Sequence, residues 1–154
     1  MILLLALLLS QPWEPPRIEA ALYVAAKAWG HDPAMFRGLA EVESGLEANP
    51  RRTKRIDPLM RRWGPKKTRT TYPWRLCSLL QLRGGLSASD GGTIPPCEAL
   101  VLFPSLASWW GARHLAGYRE QCGDERQYAG YHTGSCGKPG SFTAKVRRLA
   151  RRGK

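Results

Sequence analysis

The sequence predicts an all-α single domain of several short helices, interrupted by one long irregular basic segment. Apolar residues recur at helical spacing through most of the chain. Prolines and glycines stand where these helices should begin and end. A length of 154 residues suits one domain with a buried core. Short helices around a single core are therefore the expected architecture.

The N-terminal segment resembles a secretory signal. Residues 2–9 form a continuous apolar run, which is too short to span a bilayer but suits the core of a signal peptide. No basic residue precedes the run and no small-x-small cleavage site directly follows it, so an uncleaved anchor and a buried N-terminal segment stay open as alternatives. We expect a signal-like segment and proline linker over residues 1–17, a domain over residues 18–154, and export to the periplasm or the extracellular space, with membrane association and a phage origin left open.

Four cysteines fit this expectation of export. An even number of cysteines behind a signal-like segment favours two disulfides, and a zinc site would lack a C-x-x-C pair. Pairing Cys77 with Cys97 and Cys122 with Cys136 closes short loops. A predicted helix of about nine residues between the last two would separate them by about 13 Å unless the chain folds back, so crossed pairings stay open. We expect no cofactor and no metal.

Two helices are predicted before the basic segment. The first runs from Ile18 to Trp29 and ends at Gly30. The second begins after Asp32, an N-cap residue followed by proline at the first helical position, and it ends near Gly45. Its expected core-facing residues recur at helical spacing: Met35, Leu39, Val42 and Leu46.

The second helix carries the candidate catalytic acid, and three glutamates compete for that role. Glu41 lies one turn after Arg37, which indicates a solvated ion pair. Glu47 follows the helix end and lies near the basic segment, so it should be ionised. Glu43 borders the core, where desolvation disfavours the carboxylate and favours the protonated form that a general acid requires. The alternative is a surface glutamate at a helix end. On the helix surface Glu43 lies in one apolar stripe, at the border of the core face, with Phe36, Leu39 and Ala40.

Residues 51–75 differ from the rest of the chain. They contain ten lysines and arginines, the single acid Asp57, and three aromatic residues. This composition predicts an irregular basic insertion that could stack on sugar rings, and its alternative is a solvated surface loop. With a formal charge of +12, the chain is expected to meet anionic wall polymers or an anionic membrane. The signal-like segment and paired cysteines speak against a nucleic-acid partner.

The second half of the chain alternates between turns and helices. Residues 78–82 are apolar apart from Ser78 and the amide of Gln81, and glycine turns follow them. A long helix is predicted from Pro104 towards Gln121, and a short one from an Asp124 cap to about His132. A last helix starts at Ser141 with Phe142, Val146 and Leu149 inward and basic residues on its other faces.

Five segments occur in a characteristic order along the chain: Ala40-Glu41-Val42-Glu43-Ser44-Gly45, Ser78-Leu79-Leu80-Gln81-Leu82, Trp110-Gly111-Ala112-Arg113-His114-Leu115, Gly130-Tyr131-His132-Thr133-Gly134 and Lys145-Val146. This ordered set resembles the soluble lytic transglycosylase domain, a lysozyme-like fold that also includes goose-type lysozymes. The resemblance covers about residues 20–149. His132 stands where the family has asparagine, Ser78 replaces a glycine, and the basic insertion lengthens the distance along the chain from Glu43 to Gln81.

The resemblance implies a monomeric enzyme that acts on peptidoglycan glycan strands. Glu43 would be the general acid and base that cleaves the bond between N-acetylmuramic acid and N-acetylglucosamine and leaves a 1,6-anhydro sugar. Tyr131 would hydrogen-bond Glu43 or the N-acetyl group. Two alternatives stay open: a goose-type hydrolase with Asp57 or Asp90 positioning water, and a wall-binding protein without catalysis. The residues implied to line the sugar site are Ser44, Gln81, Tyr131 and His132.

Overall fold

The computed structural model describes residues 15–46 and 76–153, so the signal-like run and the basic insertion lie outside the described residues. The described part is mainly α-helical, as predicted, and also contains one two-stranded antiparallel sheet. The elements in chain order are α1 (Pro15–Ala28), α2 (Pro33–Ser44), β1 (Leu76–Cys77), β2 (Leu82–Arg83), α3 (Cys97–Leu102), α4 (Pro104–Cys122), α5 (Gln127–Thr133) and α6 (Ser141–Arg152).

The long helix α4 lies at the centre and packs against α1, α5, α3 and β2. Its buried face is built largely from alanine and glycine, which allows close approach of its neighbours. A Cβ at Gly111 would overlap the side chain of Leu80, so the turn between the two strands sits directly on this face. The small residues of α4 thus bring the β1–β2 hairpin close to the helix that supports it.

Helix α1 begins at Pro15, earlier than the predicted start at Ile18. Proline fits the first turn of a helix because the backbone N–H it lacks would have no partner within the helix. The chain leaves the helix at Gly30, which has φ of +69°. The Arg119 guanidinium donates to the carbonyl oxygens of Trp29 and Gly30 at 2.9 and 2.7 Å. A cation from α4 therefore satisfies the carboxyl end of α1.

The predicted ends of α2 are confirmed. The Asp32 carboxylate accepts from the backbone N–H of Met35 at 2.9 Å, and Pro33 is the first helical residue. Gly45 adopts a left-handed conformation with φ of +69°, and its N–H donates to the carbonyl oxygen of Glu41. Both ends are thus set by contacts within a few residues of chain.

The core face of α2 differs from the prediction. Phe36, Leu39 and Ala40 are completely buried. Of the four predicted core residues only Leu39 is among them, because Met35, Val42 and Leu46 are partly buried. The helix also lies against α6, where a Cβ at Gly38 would come within 2.7 Å of the Val146 carbonyl oxygen. The helix is therefore rotated so that the stripe leading to Glu43 is the centre of the buried face and not its border.

The small hairpin was not predicted, and the expectation of a purely α-helical domain is wrong at this point. Leu76 pairs with Arg83 and Cys77 with Leu82 in an antiparallel register. The turn between the strands contains Ser78 with φ of +64° and Gln81 with φ of +48°. Strands of two residues are too short to produce an alternating pattern of apolar and polar residues, so the sequence carries no period that would predict them.

All four cysteines form disulfides, as predicted, and the pairing closes the two short loops. The Cα atoms of Cys77 and Cys97 are 5.5 Å apart, and those of Cys122 and Cys136 are 5.1 Å apart. The second pair is possible because the chain folds back around α5. Glycines with φ close to +79° precede and follow that helix, at Gly123 and Gly134.

The predicted start of α5 is wrong, whereas α6 is as predicted. Helix α5 begins at Gln127, three residues after the predicted cap Asp124. The Asp124 carbonyl oxygen, and not its side chain, contacts the start of this helix, since it accepts a hydrogen bond from the Gln127 side chain at 2.9 Å. Helix α6 begins at Ser141 and buries Val146 and Leu149, with its basic residues exposed. Within residues 15–46 and 76–153, no helix combines the length and the apolar character needed to cross a membrane.

Candidate functional site

A cleft of about 140 Å³ lies where α2, the hairpin, α4 and α5 meet. It brings together residues that are far apart in the chain, including three of the residues singled out with Glu43 by the sequence. The described residues that line it are Glu43, Leu76, Gln81, Leu82, Arg83, Ser87, Ile94, His114, Tyr118, Tyr131, His132 and Gly134.

Glu43 occupies the last turn of α2, at the wall of the cleft. It continues the fully buried stripe of Phe36, Leu39 and Ala40, and its side chain is only 2% exposed. Among the described lining residues it is the one carboxylate. A carboxyl group so placed borders both the apolar core and the space of the cleft, which is the surrounding that a proton donor to a bound molecule needs.

His132 lies beside Glu43. Its Nδ1 atom is 3.9 Å from Oε1 of Glu43, and its ring stacks on Phe142 of α6 with the ring centroids 4.0 Å apart. The stacking holds the imidazole plane in place, and about a third of the side chain stays exposed. When protonated, this imidazole would form an ion pair with the Glu43 carboxylate.

Tyr131 and Gln81 are both anchored to the hairpin turn. The Tyr131 hydroxyl donates to the Leu80 carbonyl oxygen at 2.7 Å, and the Gln81 amide nitrogen donates to the Ser78 carbonyl oxygen at 3.2 Å. A hydroxyl has one proton and two lone pairs. Because the tyrosine proton is directed to Leu80, this contact fixes α5 to the hairpin.

His114 lines the cleft, although the sequence placed it only within the long helix. Its Nδ1 atom accepts a hydrogen bond from the backbone N–H of Ser89 at 2.8 Å. Burial, assisted by the nearby Arg83 cation, lowers the pKa of His114 from 6.5 to about 4. The imidazole is therefore neutral at physiological pH. Its spacing from Tyr118, one helical turn later, was the signal that could have indicated a shared polar face.

Ser44, by contrast, is not among the residues that line the cleft. Its hydroxyl donates to the Ala40 carbonyl oxygen at 3.0 Å, within α2. Glu41 also points elsewhere, since it pairs with Arg37 at 2.8 Å as predicted, and Arg37 in turn contacts Glu19. The resemblance placed Ser44 in the sugar site, and the described geometry instead gives its hydroxyl a contact on its own helix.

The hydrolase alternative requires Asp57 or Asp90 to position a water molecule, and the structure describes only Asp90. Asp90 forms a salt bridge with Arg113 at 2.5 Å and accepts from the backbone N–H of Gly92, and it is not among the cleft-lining residues. Asp57 falls in the basic insertion, outside the described residues. The described cleft therefore contains no second carboxylate to position a water molecule opposite Glu43.

Within residues 15–46 and 76–153, no group of three or more histidines, cysteines or acidic residues is arranged so that it could hold a metal ion. All four cysteines are engaged in disulfides, so they are not available as zinc ligands.

Comparisons of the chain with protein-family models, with curated proteins and with solved structures find no match.

Proposed function

We propose that this protein is a peptidoglycan lytic transglycosylase with a lysozyme-like fold, in which Glu43 is the general acid and base. The observation that carries the proposal is the position of Glu43. Its carboxyl group is almost completely buried, yet it lines a cleft that also contains Gln81, Tyr131 and His132. The resemblance assigns the cleavage of the glycosidic bond to Glu43, and it assigns the other three residues to the lining of the sugar site.

The first step is cleavage of the glycosidic bond. Glu43 in its protonated form donates its proton to the oxygen that links N-acetylmuramic acid to N-acetylglucosamine. The bond between that oxygen and C1 of the muramic sugar breaks, and the leaving N-acetylglucosamine keeps the oxygen as a hydroxyl group. Positive charge that develops at C1 is stabilised by the substrate's own N-acetyl group, as in substrate-assisted glycosidases.

The second step closes the product ring. Glu43, now a carboxylate, accepts the proton of the C6 hydroxyl while that oxygen attacks C1, which gives the 1,6-anhydro sugar and restores the acid. A single carboxyl group performs both proton transfers, and no water is consumed. The presence of one carboxylate among the described cleft residues supports this chemistry over a mechanism that needs a second carboxylate for water.

His132 and Tyr131 hold the acid in this proposal. The imidazole is near enough to Glu43 to stabilise its carboxylate when protonated, after the first proton transfer. Tyr131 bridges α5 and the hairpin through Leu80, which keeps the two walls of the cleft at a constant spacing. Both are positioning residues, and neither needs to exchange a proton with the sugar.

The experiment that tests the function is digestion of purified sacculi with borohydride treatment and mass analysis of the products. A transglycosylase releases muropeptides one water lighter than hydrolysis products, and borohydride leaves them unchanged because C1 is closed in the anhydro ring. Products that contain the added water and gain two hydrogens on reduction would establish the goose-type hydrolase instead. Binding to sacculi without any released product would show a wall-binding protein and overturn the enzymatic proposal.

A further inference from the structure

His114 has a defined hydrogen-bonding state because of its contact with Ser89. A backbone N–H can only donate, so the Nδ1 atom that accepts it at 2.8 Å has no proton. In a neutral imidazole the single proton then lies on Nε2. Burial keeps the ring neutral, with the pKa of His114 lowered to about 4. His114 is thus a neutral donor with a known donor atom.

Its neighbours hold the ring in place on two sides. Tyr118 and Tyr131 both meet His114 edge to face, with ring centroids 5.0 and 5.2 Å away. The Ser89 hydroxyl also donates to the His114 carbonyl oxygen, which fixes the loop to the helix. Since Nδ1 is directed to Ser89, Nε2 is the nitrogen left for the cleft that His114 lines.

The chemistry around this donor selects a particular kind of acceptor. A neutral N–H attracts a carbonyl oxygen without the long-range pull that a cation exerts on a carboxylate. The same cleft offers an apolar wall of Leu76, Leu82 and Ile94. An acetamido group matches this donor and this apolar wall, since it has a carbonyl oxygen and a methyl group. A plain sugar hydroxyl lacks the methyl group and the carbonyl.

We propose that the Nε2–H of His114 recognises the acetamido carbonyl of an N-acetyl sugar in the cleft, and thereby selects N-acetylated glycans over unsubstituted ones. This inference rests on the proposed function, because that function is the reason to expect a glycan in this cleft. It assigns to His114 a role in specificity and binding, separate from the proton transfers of Glu43.

Two substitutions of His114 test its donor nitrogen and its acceptor nitrogen independently. His114→Asn keeps an oxygen near the Nδ1 position, so it can still accept from Ser89, but it has no donor at the Nε2 position. His114→Gln places an amide N–H near the Nε2 position and removes the acceptor for Ser89. A purely structural histidine would be damaged at least as much by the second change as by the first.

The test measures binding of chitotetraose and cellotetraose, two neutral sugars that differ at C2, by isothermal titration calorimetry. We expect His114→Asn to weaken chitotetraose binding by about tenfold, which is within the range of one hydrogen bond. His114→Gln should keep more of the affinity, and cellotetraose should bind weakly to all three proteins. Melting temperatures of both variants show whether they are folded, and long-range ¹H–¹⁵N spectra of the wild type should show the proton on Nε2.

The outcomes separate this inference from the proposed function. Unchanged chitotetraose binding by folded His114→Asn, equal losses in both variants, or a proton on Nδ1 would overturn the role of His114, even if sacculi are cleaved. Selective loss in His114→Asn alone would support it, even if product analysis shows that no transglycosylation occurs.

Discussion

His132 Nδ1 lies 3.9 Å from Oε1 of Glu43, so helices α2 and α5 meet at the candidate acid. The imidazole is in turn stacked on Phe142 of α6. Three helices that are separated in the chain thus converge on one carboxyl group. This convergence is the structural basis for expecting that a change at Glu43 affects activity far more than a change at Glu41, the other glutamate of α2.

Glu43→Gln should abolish turnover while leaving the fold intact. Glutamine has nearly the same shape but cannot donate or accept the proton, and general acid–base groups commonly contribute about 10²–10⁴-fold to rate. Because Glu43 would perform both transfers, we expect a loss near the upper end of that range in release of soluble muropeptides from sacculi.

Glu41→Gln is the matched control, on the same helix and two positions earlier. It loses only its ion pair with Arg37 at the partly exposed surface, where such pairs contribute about 0–1 kcal/mol to stability. Turnover should therefore stay close to that of the wild type. A Glu43→Gln variant with wild-type turnover would contradict the assignment of the acid.

Gly38→Ala should destabilise the protein, because α2 and α6 touch at this glycine. The added Cβ would lie 2.7 Å from the Val146 carbonyl oxygen and 3.1 Å from the Ala150 nitrogen, both backbone atoms that cannot turn aside. Overpacking costs about 1–3 kcal/mol and outweighs the gain of up to about 1 kcal/mol in helix propensity. Thermal unfolding followed by circular dichroism should show a lower melting temperature.

Gly137→Ala provides the comparison for that experiment. Its Cβ would meet nothing within 4 Å, and its backbone is not in the left-handed region. We expect its melting temperature to match the wild type closely. Equal stability of the Gly38→Ala variant would mean that α2 and α6 are further apart than described.

The free energy of unfolding should decrease between pH 6.5 and pH 4 because of His114. Its pKa in the folded protein is lowered to about 4, so in this window the unfolded chain binds the proton more readily and is favoured as pH falls. The full shift corresponds to about 3 kcal/mol at the acid end of the window, as an order of magnitude. Urea unfolding at a series of pH values measures the slope.

His114→Asn removes this titration and should flatten the slope. Part of the slope should remain, because burial also lowers the pKa of His31, which acts in the same direction. An identical pH dependence in wild type and variant would show that His114 is not held neutral in the folded protein.

Removing the disulfide between Cys122 and Cys136 should lower the melting temperature by about 6–12 °C. The bond closes a loop with a sequence separation of 14, and a loop of that size corresponds to about 3 kcal/mol. The double change to serine at both positions tests this by calorimetry. Thiol labelling of the denatured, unreduced wild type should find no free cysteine, and labelled thiols in exported material would contradict the pairing.

Local chemistry explains which elements were predictable. The ends of α2 follow from Asp32, Pro33 and Gly45, because a cap is a contact within a few residues and needs no other part of the chain. The hairpin was missed because its strands of two residues have no period. The start of α5 was misplaced because Asp124 is a common cap residue, whereas its carbonyl oxygen bonds the Gln127 side chain here.

In the candidate site, too, short motifs predicted some residues, whereas others depend on contacts between distant segments. Glu43, Gln81 and Tyr131 were found through short motifs, and the structure brings all three to one cleft. His114 was missed because its spacing from Tyr118 indicates only a shared helix face, whereas its contact with Ser89 depends on a loop that folds back against α4. Ser44 was included by resemblance, although its hydroxyl bonds within its own helix.

By itself the sequence determined the mainly helical fold, the bounds of α2 and the number of disulfides, and it singled out Glu43 as the candidate acid, since helix caps, periodicity and cysteine count are properties of short segments. Only the tertiary structure decided how the cysteines pair, how deeply Glu43 is buried and that His132 lies beside it. Those features depend on the rotation of each helix about its axis and on chain reversals such as the one around α5. Both are settled by packing between distant segments and not by the residues adjacent in sequence.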